Sequence, residues 1–160
     1  MTDKRRVFLA PFAHPLAGRW VDACDAEEEL ERLQEKWGDV DFGAMDSEGF
    51  GGVVNEYTSV EDILALDEAI EQHGDSFVAF LRFNGGPAAQ WTVEDAVAQY
   101  EEEYVGQYDS TLDFAEEVVD SYGYLDAMPE SLRSYFDYAA FARDLMMDHY
   151  EQDGFYFRFC

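Results

Sequence analysis

Lysine is almost missing from this sequence: Lys4 and Lys36 are the only two in 160 residues. With the arginines they make 10 basic residues against 36 acidic ones, a formal net charge of −26. The scarcity is greatest in the middle. From Trp37 to Leu132 the single basic residue is Arg82, against 23 carboxylates, so intramolecular salt bridges are not expected to neutralise that stretch. A chain this negative repels phosphate, which argues against direct binding of DNA, RNA or an anionic membrane. Cysteine is scarce too. Cys24 and Cys160 give no disulfide framework. No apolar run approaches the ~18–20 residues of a membrane span. The basic start Lys4-Arg5-Arg6 leads into an apolar stretch broken by Pro11 and His14, which does not read as a signal peptide. A cytoplasmic location is expected.

The patterns of catalysis are absent as well. His14, His73 and His149 stand apart, with no HExxH and no Cys/His spacing for zinc. His149 near Glu151 and Asp153 reads as part of a surface turn around Asp153-Gly154 rather than a metal site. Asp39 to Phe50 superficially resembles a calcium loop but lacks Gly at the sixth position and Glu at the twelfth. Cys24 has no neighbouring motif, and no Gly-rich phosphate loop is present. With 36 carboxylates, any pair spacing a glycosidase needs arises by chance. The expectation is a protein that is not an enzyme and uses no cofactor and no metal.

What the chain does have is apolar material. Its hydrophobic fraction is 48%, including 13 Phe, 10 Tyr and 3 Trp. Aromatic side chains bury large areas, enough to outweigh the self-repulsion that would otherwise favour disorder. The length suits one ordinary domain or two or three very small ones.

The periodicity predicts an α+β fold, an elongated chain of small α+β modules with a more helical middle. Strands are expected at Arg6–Ala10 and Gly18–Ala23, a helix over Asp25–Lys36 with Leu30 and Leu33 as its narrow apolar stripe, and a strand with turns within Trp37–Val54. Thr58 with Glu61 has a capping-box pattern for a helix carrying Ile63, Leu66 and Ile70 and ended by Gly74. Phe77, Phe80 and Leu81 mark a short helix stopped by Asn84-Gly85-Gly86-Pro87, the best candidate linker. Thr92 opens a helix with Val93, Val97, Tyr100 and Tyr104 on one face. Ser110 with Asp113 caps the next, whose apolar positions are Leu112, Ala115, Val119 and Tyr122. Pro129 begins a short helix, Asp137 caps one running to about Asp148, and Gly154–Phe159 reads as a strand. The modules expected are 1–57, an N-terminal α+β unit; 58–90, a small helical unit; and 91–160, a C-terminal α+β unit.

The acids of the fifth predicted helix form a row. Asp109, Asp113, Glu116, Glu117 and Asp120 fall along one side, opposite its apolar positions. At ~1.5 Å rise per residue they cover roughly 16 Å, about 4 Å per charge. One strand of B-DNA carries a phosphate about every 3.4 Å. Acids opposite an apolar stripe are ordinarily just a solvated face. Several such helices in a stretch with one cation make that account less comfortable.

At this point the residues suggest a family. Glu102-Glu103-Tyr104-Val105-Gly106-Gln107-Tyr108-Asp109-Ser110 followed by Asp113-Phe114-Ala115-Glu116-Glu117 resembles the central signature of ArdA-type antirestriction proteins. Tyr124-Leu125-Asp126-Ala127-Met128-Pro129-Glu130-Ser131-Leu132-Arg133-Ser134-Tyr135-Phe136-Asp137 is similar to that family's antirestriction motif. Tyr138–Leu145, Asp153–Phe157, Gly18–Ala23 and Glu48-Gly49-Phe50 also fit. The sequence departs from the pattern in a shortened first loop, Phe12–Ala17, and in the segment ending at Pro87.

The resemblance implies a protein of mobile genetic elements that protects incoming DNA from type I restriction–modification enzymes. It implies an acidic homodimer whose carboxylates imitate DNA phosphates and occupy the DNA groove of the methyltransferase and specificity subunits. The candidate DNA-mimic surface is Asp67, Glu68, Glu71, Glu94, Glu101, Glu102, Glu103, Asp109, Asp113, Glu116, Glu117 and Asp120. The motif residues Tyr124, Leu125, Pro129, Glu130, Leu132, Tyr135, Phe136 and Asp137 either touch the enzyme or build the dimer interface. Apolar periodicity at Leu132, Tyr135 and Phe136 favours packing. Two other classes stay open: an acidic protein adapted to high salt, and an acidic sequestering partner of another basic DNA-binding protein.

Overall fold

The structure, a computed structural model, describes residues 4–85 and 92–159. Among these residues the fold is mixed α+β, with seven α-helices and two small three-stranded antiparallel sheets. The chain divides into two compact units, Met1–Glu102 and Glu103–Cys160.

The first unit is built on β1 (Arg6–Pro11), β2 (Arg19–Asp22) and β3 (Phe42–Glu48), in the order β2-β1-β3. Val7 and Leu9 alternate with Arg6 and Phe8 along β1, so the period of two turns Val7 and Leu9 into the core. Gly18 precedes β2 because a Cβ there would sit 1.8 Å from the Leu9 carbonyl oxygen, closer than any side chain can come. Helix α1 (Ala26–Trp37) buries Ala26, Glu29 and Leu33. Leu30, expected beside Leu33 in its stripe, is only half-buried. Helix α2 (Val60–His73) buries Ile63, Leu66 and Ile70, α3 (Asp75–Asn84) buries Phe77, Phe80 and Leu81, and α4 (Val93–Glu103) adds Val93, Ala96 and Tyr100. The Tyr100 ring stands edge-on to Phe77 and Phe80, at 5.3 and 5.8 Å.

The second unit has β4 (Tyr104–Gln107), β5 (His149–Gln152) and β6 (Phe155–Arg158), in the order β4-β6-β5. Its helices are α5 (Thr111–Tyr122), α6 (Glu130–Arg133) and α7 (Tyr138–Leu145). Phe114 of α5 lies 4.9 Å from Tyr156 and 5.0 Å from Tyr108, which seats the helix on the sheet.

Several boundaries differ from those the sequence predicts. The cap of α2 is Ser59, whose hydroxyl accepts from the Asp62 N–H at 3.1 Å; Thr58 accepts instead from the Asn55 N–H. Tyr104 does not continue α4 but opens β4, because its ring joins Phe155 and Phe157 across the sheet. Strand β5 occupies residues expected to form only a turn, and α7 stops three residues short of Asp148. In α5 the buried face is Phe114, Ala115 and Val119; Leu112 and Tyr122 are exposed. Asn84 ends α3 with Gly85 as its cap, while Gly86, Pro87 and Cys160 lie outside the described residues.

Candidate functional site

The acidic row forms because α5 starts and stops where its sequence dictates. Ser110 caps the N-terminus by accepting from the Asp113 N–H at 3.1 Å. Gly123, at φ 63° and ψ 33°, ends the helix in the left-handed region. At 100° per residue, Asp113, Glu116, Glu117 and Asp120 share the side opposite Phe114, Ala115 and Val119, and all four are exposed. Asp109 is exposed as well but precedes the cap, so it extends the row from a loop rather than from the helix. The four helical carboxylates span roughly 10 Å of axis, about 3.5 Å apart. That is nearer the ~3.4 Å phosphate spacing of one DNA strand than the five-residue estimate.

None of these five carboxylates has a basic side chain within ion-pair distance among the described residues. Glu117 accepts a hydrogen bond from the Ser121 hydroxyl at 3.1 Å. Beside the row, burial first and the Glu117 charge second push the Tyr108 phenol above its ordinary range, so it stays neutral.

The remaining acids divide into exposed and engaged. Glu94, Glu101 and Glu102 of α4 and Glu68 of α2 are exposed, and Glu101 lies 3.9 Å from His73. Asp95, on the same exposed turn as Glu94, escaped the sequence reading; its proximity to Thr92, with which it makes a reciprocal capping pair, was the available signal. Glu103 is not a surface charge. It is 5% exposed and accepts a hydrogen bond from the Tyr150 hydroxyl at 3.0 Å.

Asp67 and Glu71, unlike the α5 row, have a basic partner. Both carboxylates pair with Arg5, the residue immediately before β1, and the Arg5 side chain is only 7% exposed. The cation that neutralises them comes from outside the acidic stretch, 62 and 66 residues away in sequence, which the local charge count could not reveal. Burial opposes the Arg5 charge, but the hydrogen bonds to Glu71 and Asp67 together outweigh it and raise its pKa. A second anchor holds Glu29, which accepts from both Arg32 and Arg19. The Arg32 hydrogen bond, against the opposing effect of burial and with help from Arg19, holds the Glu29 carboxyl below the usual range. Lys4 pairs with Asp22 at 3.1 Å. Lys4, Arg5, Arg19 and Arg32 are thus spent on pairing within the first unit.

The segment from Tyr122 to Met147 is a second surface of different character. Tyr124, Pro129, Glu130, Leu132, Tyr135 and Asp137 are exposed, while Leu125 and Phe136 are half-buried. The Phe136 ring packs 4.8 Å from Tyr138 and 5.8 Å from Phe141, both likewise half-buried. Asp137 caps α7 by accepting from the Ala140 N–H at 3.0 Å. Tyr122, placed in the apolar stripe by its period, is instead 70% exposed and stacked on Tyr124. No group of three or more His, Cys, Asp or Glu among the described residues could hold a metal, and no described helix is long and apolar enough to cross a membrane.

The family model described as antirestriction protein (ArdA) matches residues 14–157 of the 160. No curated protein matches the chain.

Proposed function

The chain belongs to the ArdA antirestriction family, and we propose that it inhibits its target by standing in for DNA. Members of that family counter type I restriction–modification enzymes. The proposed contact is the DNA-binding groove of the methyltransferase and specificity subunits. The observation that carries this reading is the row Asp113, Glu116, Glu117 and Asp120: exposed, without basic partners among the described residues, and spaced like phosphates.

The physical logic is that phosphate contacts position a DNA-binding protein without reading sequence. A groove lined with Lys and Arg meets a similar charge density in the carboxylates of α5. Because the carboxylates are fixed to a capped helix, little conformational entropy is lost when they dock. No base edge is needed, so enzymes with different recognition sequences are inhibited alike. The chain itself catalyses nothing in this scheme.

Homodimerisation through the antirestriction motif completes the proposal. Two chains of net charge −26 repel, so they meet best where acids are sparse and apolar groups are exposed. Leu132 and Tyr135, 50% and 82% exposed, fit that requirement better than the half-buried Phe136. Leu132→Asp with Tyr135→Asp should convert the dimer to a folded monomer in sedimentation velocity. A dimer that survives both changes places the interface elsewhere.

A further inference from the structure

We infer that the stacked pair Tyr122–Tyr124 is a platform for arginine guanidinium groups of the inhibited enzyme, at the end of the acidic row. This inference rests on the phosphate-mimic reading of α5 and names a second kind of contact within it. The two rings lie 5.5 Å apart with an interplanar angle of 15°, and they are 70% and 54% exposed. Their arrangement follows from the helix cap. Gly123 takes the left-handed conformation, and the Tyr124 N–H bonds back to the Val119 carbonyl at 3.2 Å, which turns Tyr124 beside Tyr122. Tyr124 is further held by the Phe141 ring, edge-on at 6.0 Å. The cap thus sets the backbone that carries the pair.

Its surroundings select a cation. The pair sits at the C-terminal end of α5, where the carbonyl ends of the helix carry partial negative charge. Such ends ordinarily hold Lys or Arg, yet the last turn of α5 contains no basic residue. Asp120 precedes the pair on the exposed face, and the Asp126 carboxylate lies against Gly123, between the two tyrosines in the chain: a Cβ on Gly123 would come within 2.6 Å of it. Exposed aromatic faces flanked by carboxylates suit the planar guanidinium, which stacks on a ring while its edge pairs with an acid. The same chemistry occurs within the chain, where the Arg6 guanidinium lies 5.6 Å from the Trp20 ring centre. An apolar partner would leave the carboxylates desolvated and unpaired. An arginine-bearing groove would not.

The test measures binding of the full chain to a purified type I methyltransferase–specificity complex. The variants are Tyr122→Leu with Tyr124→Leu, Tyr122→Phe with Tyr124→Phe, and Glu116→Gln with Glu117→Gln. Loss of the rings in the Leu pair should weaken binding about tenfold, with the dimer intact and the salt dependence unchanged, because no charge is removed. The Phe pair should bind as wild type. Each single Leu variant should lose less in the same direction, which keeps the test valid if the double variant folds poorly. If the Leu pair binds as wild type while the Gln pair is weakened, the platform is wrong and the phosphate mimicry stands. If the Gln pair also binds as wild type, the mimicry itself fails and the platform fails with it. A Leu pair that sediments as a monomer would assign the tyrosines to self-association and overturn the inference.

Discussion

Replacing Asp113, Glu116, Glu117 and Asp120 together by their amides should weaken inhibition of a type I enzyme by roughly two to three orders of magnitude. Exposed ion pairs contribute about 0.2–1 kcal/mol each, and charge pairs buried in an interface contribute more. Four contacts near the top of the exposed range sum to about 3–4 kcal/mol, and every ~1.4 kcal/mol is tenfold. Any one amide alone should cost less than about tenfold. The fold should not suffer. All four side chains are exposed, and among the described residues the one side-chain hydrogen bond they make is that from the Ser121 hydroxyl to Glu117. Asp113 with Glu117 and Glu116 with Asp120 are like-charged pairs at i,i+4, so their neutralisation removes a repulsion of ~0.2–0.5 kcal/mol each. A titration of DNA cleavage against inhibitor, with a thermal melt of the same preparation, reads both effects. Unchanged inhibition by a folded quadruple variant would refute the assignment of the row.

The opposite pattern is expected for Asp67→Ala. This carboxylate lies in the same acidic stretch, but its partner is the nearly buried Arg5 guanidinium, which it shares with Glu71. Removing one partner of a buried pair leaves charge uncompensated and costs about 3–5 kcal/mol; with Glu71 still in place, about 3 kcal/mol is expected here. The loss should appear as a lower urea midpoint with an unchanged m value. Where the variant remains folded, inhibition should match wild type, because a neutralised carboxylate presents little field to a partner. If Asp67→Ala were as stable as wild type but inhibited poorly, Asp67 would belong to the docking surface after all.

The contrast between these two sites explains what could be read from the sequence. Ser110 with Asp113 sets the start of α5 within a residue, because a cap acts through contacts only three or four residues long. The charge row follows from that boundary and the helical period alone. Long-range pairing does not. Nothing near Asp67 announces Arg5, and nothing near Glu103 announces the Tyr150 hydroxyl, 47 residues on. The strands of the second unit were hidden for a related reason. Tyr104 fits the helical stripe of α4 as well as it fits β4, and only the rings of Phe155 and Phe157 decide between them. For β5 the signal was present: Asp153-Gly154, with φ of 57° and 87°, is a hairpin turn that needs a strand on each side. Apolar period alone does not rank the motif residues by exposure: Phe136 is half-buried against Tyr138 and Phe141 while Tyr135 beside it is 82% exposed.

In this mechanism the chain and DNA compete for one groove. Its most direct test is the apparent dissociation constant of the chain for a methyltransferase–specificity complex, measured against increasing duplex of that enzyme's recognition sequence. Competition requires a constant that rises in proportion to duplex concentration, with no ternary complex at saturation. A constant that stays level as duplex is added, or a stable complex containing enzyme, duplex and chain together, would contradict it.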